Sequence, residues 1–238
     1  MKKSNAYMAV FLFLTSVLAS GYLPAQATPI KPVNFGDAFP NFILPAVQGG
    51  DVALSSLKGK NVLIIFLRGR VGDHWCQICH YQYAELADLE KTRQIRNKYN
   101  LEILFILPYD KATVEHWVNI FPEQMAVIEE WKNPAAEAQK DPATARWMET
   151  TRRLFPKKFA ISKENIPVPF PILIDAERKL SEGLQLFTLF WDRSYVEQNI
   201  ATVFLLDGQG QVRFKYFSQN TVDRPDAAFL LKFIERML

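Results

Sequence analysis

The run Val62-Leu63-Ile64-Ile65-Phe66-Leu67, followed after Gly69 by Asp73-His74-Trp75-Cys76-Gln77-Ile78-Cys79-His80, decides how this chain is read. An unbroken apolar, β-branched run bounded by Gly59 and Gly69 lacks the alternation of a half-exposed strand and predicts a strand covered on both faces. The second piece sets two cysteines three residues apart where that strand hands over to a helical stretch, Gln77 to Lys98. Working outward, Leu101 to Leu107, Phe170 to Ile174 and Ala201 to Leu206 read as further buried strands, and Ala112 to Phe121, Ala176 to Phe187 and Asp226 to Leu238 as helices. Strands alternating with helices predict an α/β fold with a central sheet flanked by helices. The turn signal Asp207-Gly208-Gln209-Gly210 joins Ala201–Leu206 to Val212–Phe217 as a terminal hairpin, which makes the sheet mixed.

With 238 residues, 49% hydrophobic and 22% charged, the chain has the balance of a globular domain rather than a disordered one. The formal charge of +3 includes Lys2 and Lys3, and so weak a balance argues against nucleic acid as a partner. Cys76 and Cys79 are the only cysteines, too few for a disulfide-stapled miniature scaffold, so their purpose is to be sought elsewhere.

Lys2 and Lys3, the uncharged run Ala6 to Leu18 and Ala25-Gln26-Ala27 match a secretory leader with its cleavage site. Residues 1–27 are therefore expected to be a signal peptide, and 28–238 a single domain in the periplasm or secreted. No later run is long and apolar enough to span a bilayer, so no membrane span is expected after cleavage. Between Pro122 and Pro169 prolines punctuate short helical pieces, read as an insertion at about 111–166. Its basic stretch from Trp131 to Lys158 reads as a solvated helix face.

Cysteines at i and i+3 on a helical turn have Cβ atoms roughly 5–6 Å apart, near enough to close to the ~4 Å of a disulfide by small adjustments. Cys76 falls at the helix start, where unpaired N–H groups and the macrodipole favour an anion. Lowering a thiol from ~8.5 to ~7 takes about 2 kcal/mol, which is near the upper limit of about 2 kcal/mol for a helix terminus. A protonated His74 would add to this and Asp73 oppose it. Cys79, Tyr83 and Leu86 share a face, which shields the second sulfur. Cys76 is then the more exposed, attacking thiol, and Cys79 the resolving thiol that releases the mixed disulfide.

Other uses of the pair remain open at this level. A structural disulfide would close too short a loop to remove much chain entropy, and zinc would need four ligands where only His74 and His80 lie nearby. Cys76-Gln77-Ile78-Cys79-His80 also spells the C-x-x-C-H of c-type haem attachment, and a copper site using both sulfurs and a histidine is conceivable. The strand upstream favours a redox dithiol, for which no cofactor or metal is required. His80 and His116 read as surface or capping residues. Trp75 reads as packing that covers the sulfurs.

These fragments together resemble the thioredoxin-like redoxins, in the branch joining peroxiredoxins (AhpC/TSA) with exported thiol-disulfide oxidoreductases. Gly36-Asp37-Ala38-Phe39-Pro40-Asn41-Phe42-Ile43-Leu44-Pro45 is similar to the family's opening, Leu57-Lys58-Gly59-Lys60 to the lead-in of its first core strand, and Trp75–Cys79 to W-C-x-x-C. Phe170-Pro171-Ile172-Leu173-Ile174-Asp175 and Phe204-Leu205-Leu206-Asp207 with Gly210 and Val212 resemble two later strands. The resemblance implies a thioredoxin-like fold and exchange with protein thiols or disulfides, or with peroxide as an antioxidant, served by a further thiol donor or acceptor. The chain departs from the pattern at Ala201, where thioredoxins carry a cis-proline. It departs again at Gly72 and Cys76, which stand for Pro and Thr if Cys79 is laid on the peroxidatic cysteine. Arg68 in Phe66-Leu67-Arg68-Gly69 resembles the F-x-R-G of some members and could polarise a peroxide or a thiolate. The usual exposure of arginine favours a strand-end surface charge.

Overall fold

The computed structural model describes residues 33–238; the leader and its Ala25-Gln26-Ala27 site lie outside them. A small antiparallel pair, β1 (Ile43–Pro45) and β2 (Asp51–Ala53), precedes the first core strand, β3 (Asn61–Phe66). The hairpin β4 (Arg70–Val71) and β5 (His74–Trp75) leads into α1 (Gln77–Arg93), α2 (Ile95–Lys98) and β6 (Leu101–Leu107). The crossover to β7 (Ile172–Ile174) carries α3 (Lys111–Asn119), α4 (Phe121–Lys132) and α5 (Pro142–Leu154). The chain finishes with α6 (Lys179–Gly183), the short pair β8 (Phe187–Thr188) and β9 (Gln198–Asn199), the hairpin β10 (Thr202–Leu206) and β11 (Val212–Phe217), and α7 (Ala227–Met237).

The central sheet has the order β11-β10-β3-β6-β7, with β3, β6 and β7 parallel and β10 antiparallel to both its neighbours. This is the mixed α/β architecture that the strand pattern predicts. The unbroken apolar runs follow from coverage on both sides. Leu63, Ile65, Ile103 and Phe105 face the core under α1, α3, α4 and α7, while Val62, Ile64, Phe66, Leu104 and Ile106 face a second core closed by the amino-terminal segment and α6. Register keeps like with like, since Leu63 stands beside Ile103 and Ile65 beside Phe105. Each such side chain contributes about 1.5–3 kcal/mol by leaving water. At the terminal hairpin the Asp207 carboxylate accepts the N–H groups of Gln209 and Gln211 at 2.9 and 3.0 Å, and Gly210 adopts φ +79°.

Three helical expectations need correction. The stretch from Gln77 breaks at Gln94, which sits in the left-handed region at φ 50° and caps α1. Ala112–Phe121 stops short as α3, because Ile120 ends that helix and Phe121-Pro122 starts α4. Ala176–Phe187 shrinks to α6. The buried Asp175 carboxylate accepts the N–H groups of Leu180 and Ser181, which delays the start, and Gln185 at φ 58° turns the chain toward β8. The Phe170 strand begins only at Ile172.

The basic stretch of the crossover is largely neutralised or solvated. Lys132 pairs with Glu129 at 2.7 Å and Lys157 with Asp88 at 2.7 Å, Lys140 pairs with Glu137, and Arg146, Arg153 and Lys158 face water. Among the described residues no helix is long and apolar enough to cross a membrane.

Ile64 is fully buried in the second core. Ile64→Ala is expected to cost about 2–5 kcal/mol, read as a lower urea midpoint at unchanged slope.

Candidate active site

The chain leaves β3 through Leu67 and Arg68 and turns at Gly69, whose φ of +82° suits glycine. A Cβ there would lie 2.4 Å from the Tyr109 ring, so the close approach excludes any side chain. Residues 70–75 then build the hairpin of β4 and β5. It is pinned from β6's end by the Tyr109 hydroxyl, which accepts the Arg70 N–H at 3.0 Å and donates to the Glu197 carbonyl at 2.9 Å. Trp75 is buried with its ring edge-on to Tyr109 at 5.6 Å and the Arg70 guanidinium 4.7 Å from its centroid.

This construction sets Cys76 as the N-cap of α1. Its N–H donates to the Gly69 carbonyl at 2.8 Å and its own carbonyl accepts the Cys79 N–H at 3.0 Å. Both thiols are reduced and both are buried, at 2% and 0% exposure. The unequal exposure expected of the pair is thus corrected, and what separates the two sulfurs is electrostatics. Cys76 is held down to about 5, first by the hydrogen bond it accepts from the Cys79 thiol, against the opposing cost of burial, and then by the charges of Arg224 and Arg68. Cys79 is pushed well above its ordinary value by burial, by donating that hydrogen bond and by the charge on Cys76. One sulfur is an anion at neutral pH and the other its proton donor. Tyr83 and Leu86, on the Cys79 face, are fully buried.

The two cations have different legibility. Arg68 is not a surface charge: it is 4% exposed and its Nε donates to Gln198 Oε1 at 2.7 Å. Burial follows because β9 runs beside it, with the Asn199 N–H on the Arg68 carbonyl at 3.2 Å. Arg224 was not picked out from the sequence, since it lies in a loop with no motif. Its Nη2 reaches within 3.9 Å of Cys76 Sγ. Three ties hold that loop: Asn220 Oδ1 accepts the N–H groups of Val222 and Asp223, Gln82 Nε2 donates to the Pro225 carbonyl at 3.2 Å, and Thr221 binds Asp192. Both guanidiniums lie against Trp191, 5.7 and 5.8 Å from its ring. A basic residue preceding the last helix was the one available signal.

The remaining candidates are placed as follows. His74 is exposed on the hairpin, paired with Val71, and the cations beside the sulfur are the two arginines instead. His80 is not a surface residue. It is fully buried, stacked on Trp117 at 4.2 Å, with Nδ1 facing the Cys76 carbonyl at 3.2 Å and Nε2 the Trp117 carbonyl at 2.9 Å. Burial lowers it to about 4, so it is neutral. His116 is exposed near Trp75. Ala201 is buried directly before β10, its carbonyl accepting the Ser218 N–H at 3.0 Å, and no peptide bond among the described residues is cis. Both His80 nitrogens face backbone oxygens and both sulfurs are enclosed.

The AhpC/TSA family model matches residues 35–215, which include β1 to β10 and the cysteine pair. The chain belongs to the AhpC/TSA family. It is accordingly a thiol-dependent oxidoreductase. Solved structures agree on the thioredoxin-like fold of this AhpC/TSA protein. A peroxiredoxin 6 of Arenicola marina superposes with a TM-score of 0.53 at 14% identity, covering 85% of this chain and 72% of that one. A reduced 2-Cys peroxiredoxin of Plasmodium vivax gives 0.51 at 20% identity, covering 86% and 81%, and AhpC of Mycobacterium bovis gives 0.50 at 14%, covering 85% and 91%. Comparison with curated protein sequences gave no match.

Thiolate absorbance of the reduced AhpC/TSA protein is expected to titrate with a midpoint near pH 5 that vanishes in Cys76→Ser and moves upward in Arg224→Gln. Since the unfolded thiol ionises near 9.0, the folded state binds fewer protons between about 5 and 9. Stability of the reduced protein therefore rises with pH across that window and is lost as pH falls through about 5, a slope absent from the disulfide form. Gly69→Ala should cost about 1–3 kcal/mol in chemical denaturation by driving the hairpin off Tyr109.

Proposed function

We propose that the protein catalyses thiol–disulfide exchange, with Cys76 attacking and Cys79 resolving. The observation that supports this reading is the division of one buried pair into a stabilised thiolate and a retained thiol at the first turn of α1. The Cys76 thiolate attacks a substrate disulfide, forming a mixed disulfide and expelling the first substrate sulfur, which takes a proton from solvent. Cys79 then loses its proton, attacks Cys76 and expels the second sulfur, so the substrate gains two electrons and the protein is left as the disulfide. Arg68 and Arg224 stabilise the reduced form through its thiolate, which makes the couple more oxidising.

The same dithiol also suits peroxide reduction, a reading favoured by family membership and by unspent guanidinium donors beside the thiolate. There the thiolate takes one peroxide oxygen to become sulfenic acid, an alcohol or water departs, and condensation with Cys79 releases water. Ala25-Gln26-Ala27 and the leader before it support action outside the cytoplasm, which amino-terminal sequencing of secreted material tests.

Cys76→Ser is expected to abolish exchange and peroxide turnover alike, while Cys79→Ser accumulates a mixed disulfide trapped on Cys76, detectable by mass. A glutathione titration should return a potential above the about −270 mV of strongly reducing dithiols. Unaltered exchange in Cys76→Ser would sink the exchange reading; loss of peroxide turnover alone would leave the peroxidase.

A further inference from the structure

Two guanidiniums serve one thiolate, and among the described residues neither makes a direct ion pair with a carboxylate. Arg68 spends its Nε on the amide oxygen of Gln198. Arg224 spends Nη1 on the Asp223 carbonyl at 2.6 Å and Ser218 Oγ at 3.3 Å, and its Nε is buried without an acceptor. Among the described residues no carboxylate lies within ion-pairing distance of either. The nearby acids act on the pair only at longer range: Asp192, which feels the charge of Arg68, binds the Thr221 N–H and hydroxyl at 2.8 and 3.0 Å, and Asp223 binds the Gln219 N–H at 2.7 Å and the Tyr216 hydroxyl. Beside Arg68, the fully buried Asn199 has no partner for either its amide oxygen or its amide nitrogen.

A cation withdrawn from water without a contacting counter-charge is costly, and Arg68 is buried while Arg224 is half-buried. Here the thiolate offsets part of the positive charge, and that offset is lost when Cys76 enters a mixed disulfide and loses its charge. A substrate that carries its own negative charge cancels this at the stage where the need is greatest. The 2% exposure of Cys76 sets a second condition, because a sulfur so enclosed favours a small molecule over a broad protein face. Resting on the exchange reading above, we propose that the site takes a small carboxylate-bearing disulfide, its carboxylate held by Arg68 and Arg224 beside Trp191. Cys76 bonds to one substrate sulfur, the other leaves as a thiol, and Cys79 displaces the retained half as a second thiol. The two electrons come from the protein dithiol.

The test compares rates of reduced protein with three disulfides of similar length: dithiodipropionate, bis(2-hydroxyethyl) disulfide and cystamine. Each rate is divided by that of the same disulfide with a free thiolate in solution, which removes differences in leaving group. The expected order is anionic, neutral, cationic, with at least about tenfold between the first two at low salt, narrowing as salt is added. Arg224→Gln and Arg68→Gln slow all three through the thiolate, so the readout is the ratio, which should contract toward unity in both and persist in part in Arg224→Lys and Arg68→Lys. If the glutamine variants do not fold, the lysine variants and the salt series on the unaltered chain decide. Normalised rates within about twofold of one another, or a preference that neither arginine alters, would overturn the proposal and leave exchange intact. Reaction with none of the three would overturn both.

Discussion

A buried anion is the constraint from which the rest of this site follows. Taking a thiolate out of water is unfavourable, and the cost is met at Cys76 by a proton from Cys79 shared across the pair, by the start of α1 and by two arginines. Each contribution needs a separate piece of backbone. Gly69 turns the chain so that Cys76 can cap the helix, burial in α1 keeps Cys79 protonated, and the exit of β3, held by Gln198 of β9, and the approach to α7 bring cations. Remove the water-poor setting and the thiol would be ordinary; remove the cations and burial would drive it the other way.

The sheet was readable because its signal is local. A strand covered on both sides must be apolar at every position, and β3, β6, β10 and β11 end within a residue of the runs that announce them. Helix ends were less legible, because side chains distant from the apolar pattern decide them. Asp175 caps α6 from the end of β7, and Gln94 and Gln185 take left-handed backbone that their identity does not demand.

At the site, the cysteines and their relation to the helix start could be read from spacing alone. Arg68 could be named but not placed, since its burial depends on Gln198, distant in sequence by 130 residues. His80 gave the opposite of its usual exposure because α3 folds over it and supplies both a carbonyl and the Trp117 ring. Arg224 had no motif to announce it. What a sequence pattern conveys is which groups share an element, whereas charge at an active sulfur is set by which elements converge.

That convergence has a consequence for the growing chain. Arg224 stands 148 residues beyond Cys76, in the connection to the last helix. During synthesis the two thiols and Arg68 emerge long before Arg224 does. Full stabilisation of the sulfur is thus deferred until residue 224 has been made, and a product interrupted before it keeps the dithiol with one guanidinium rather than two.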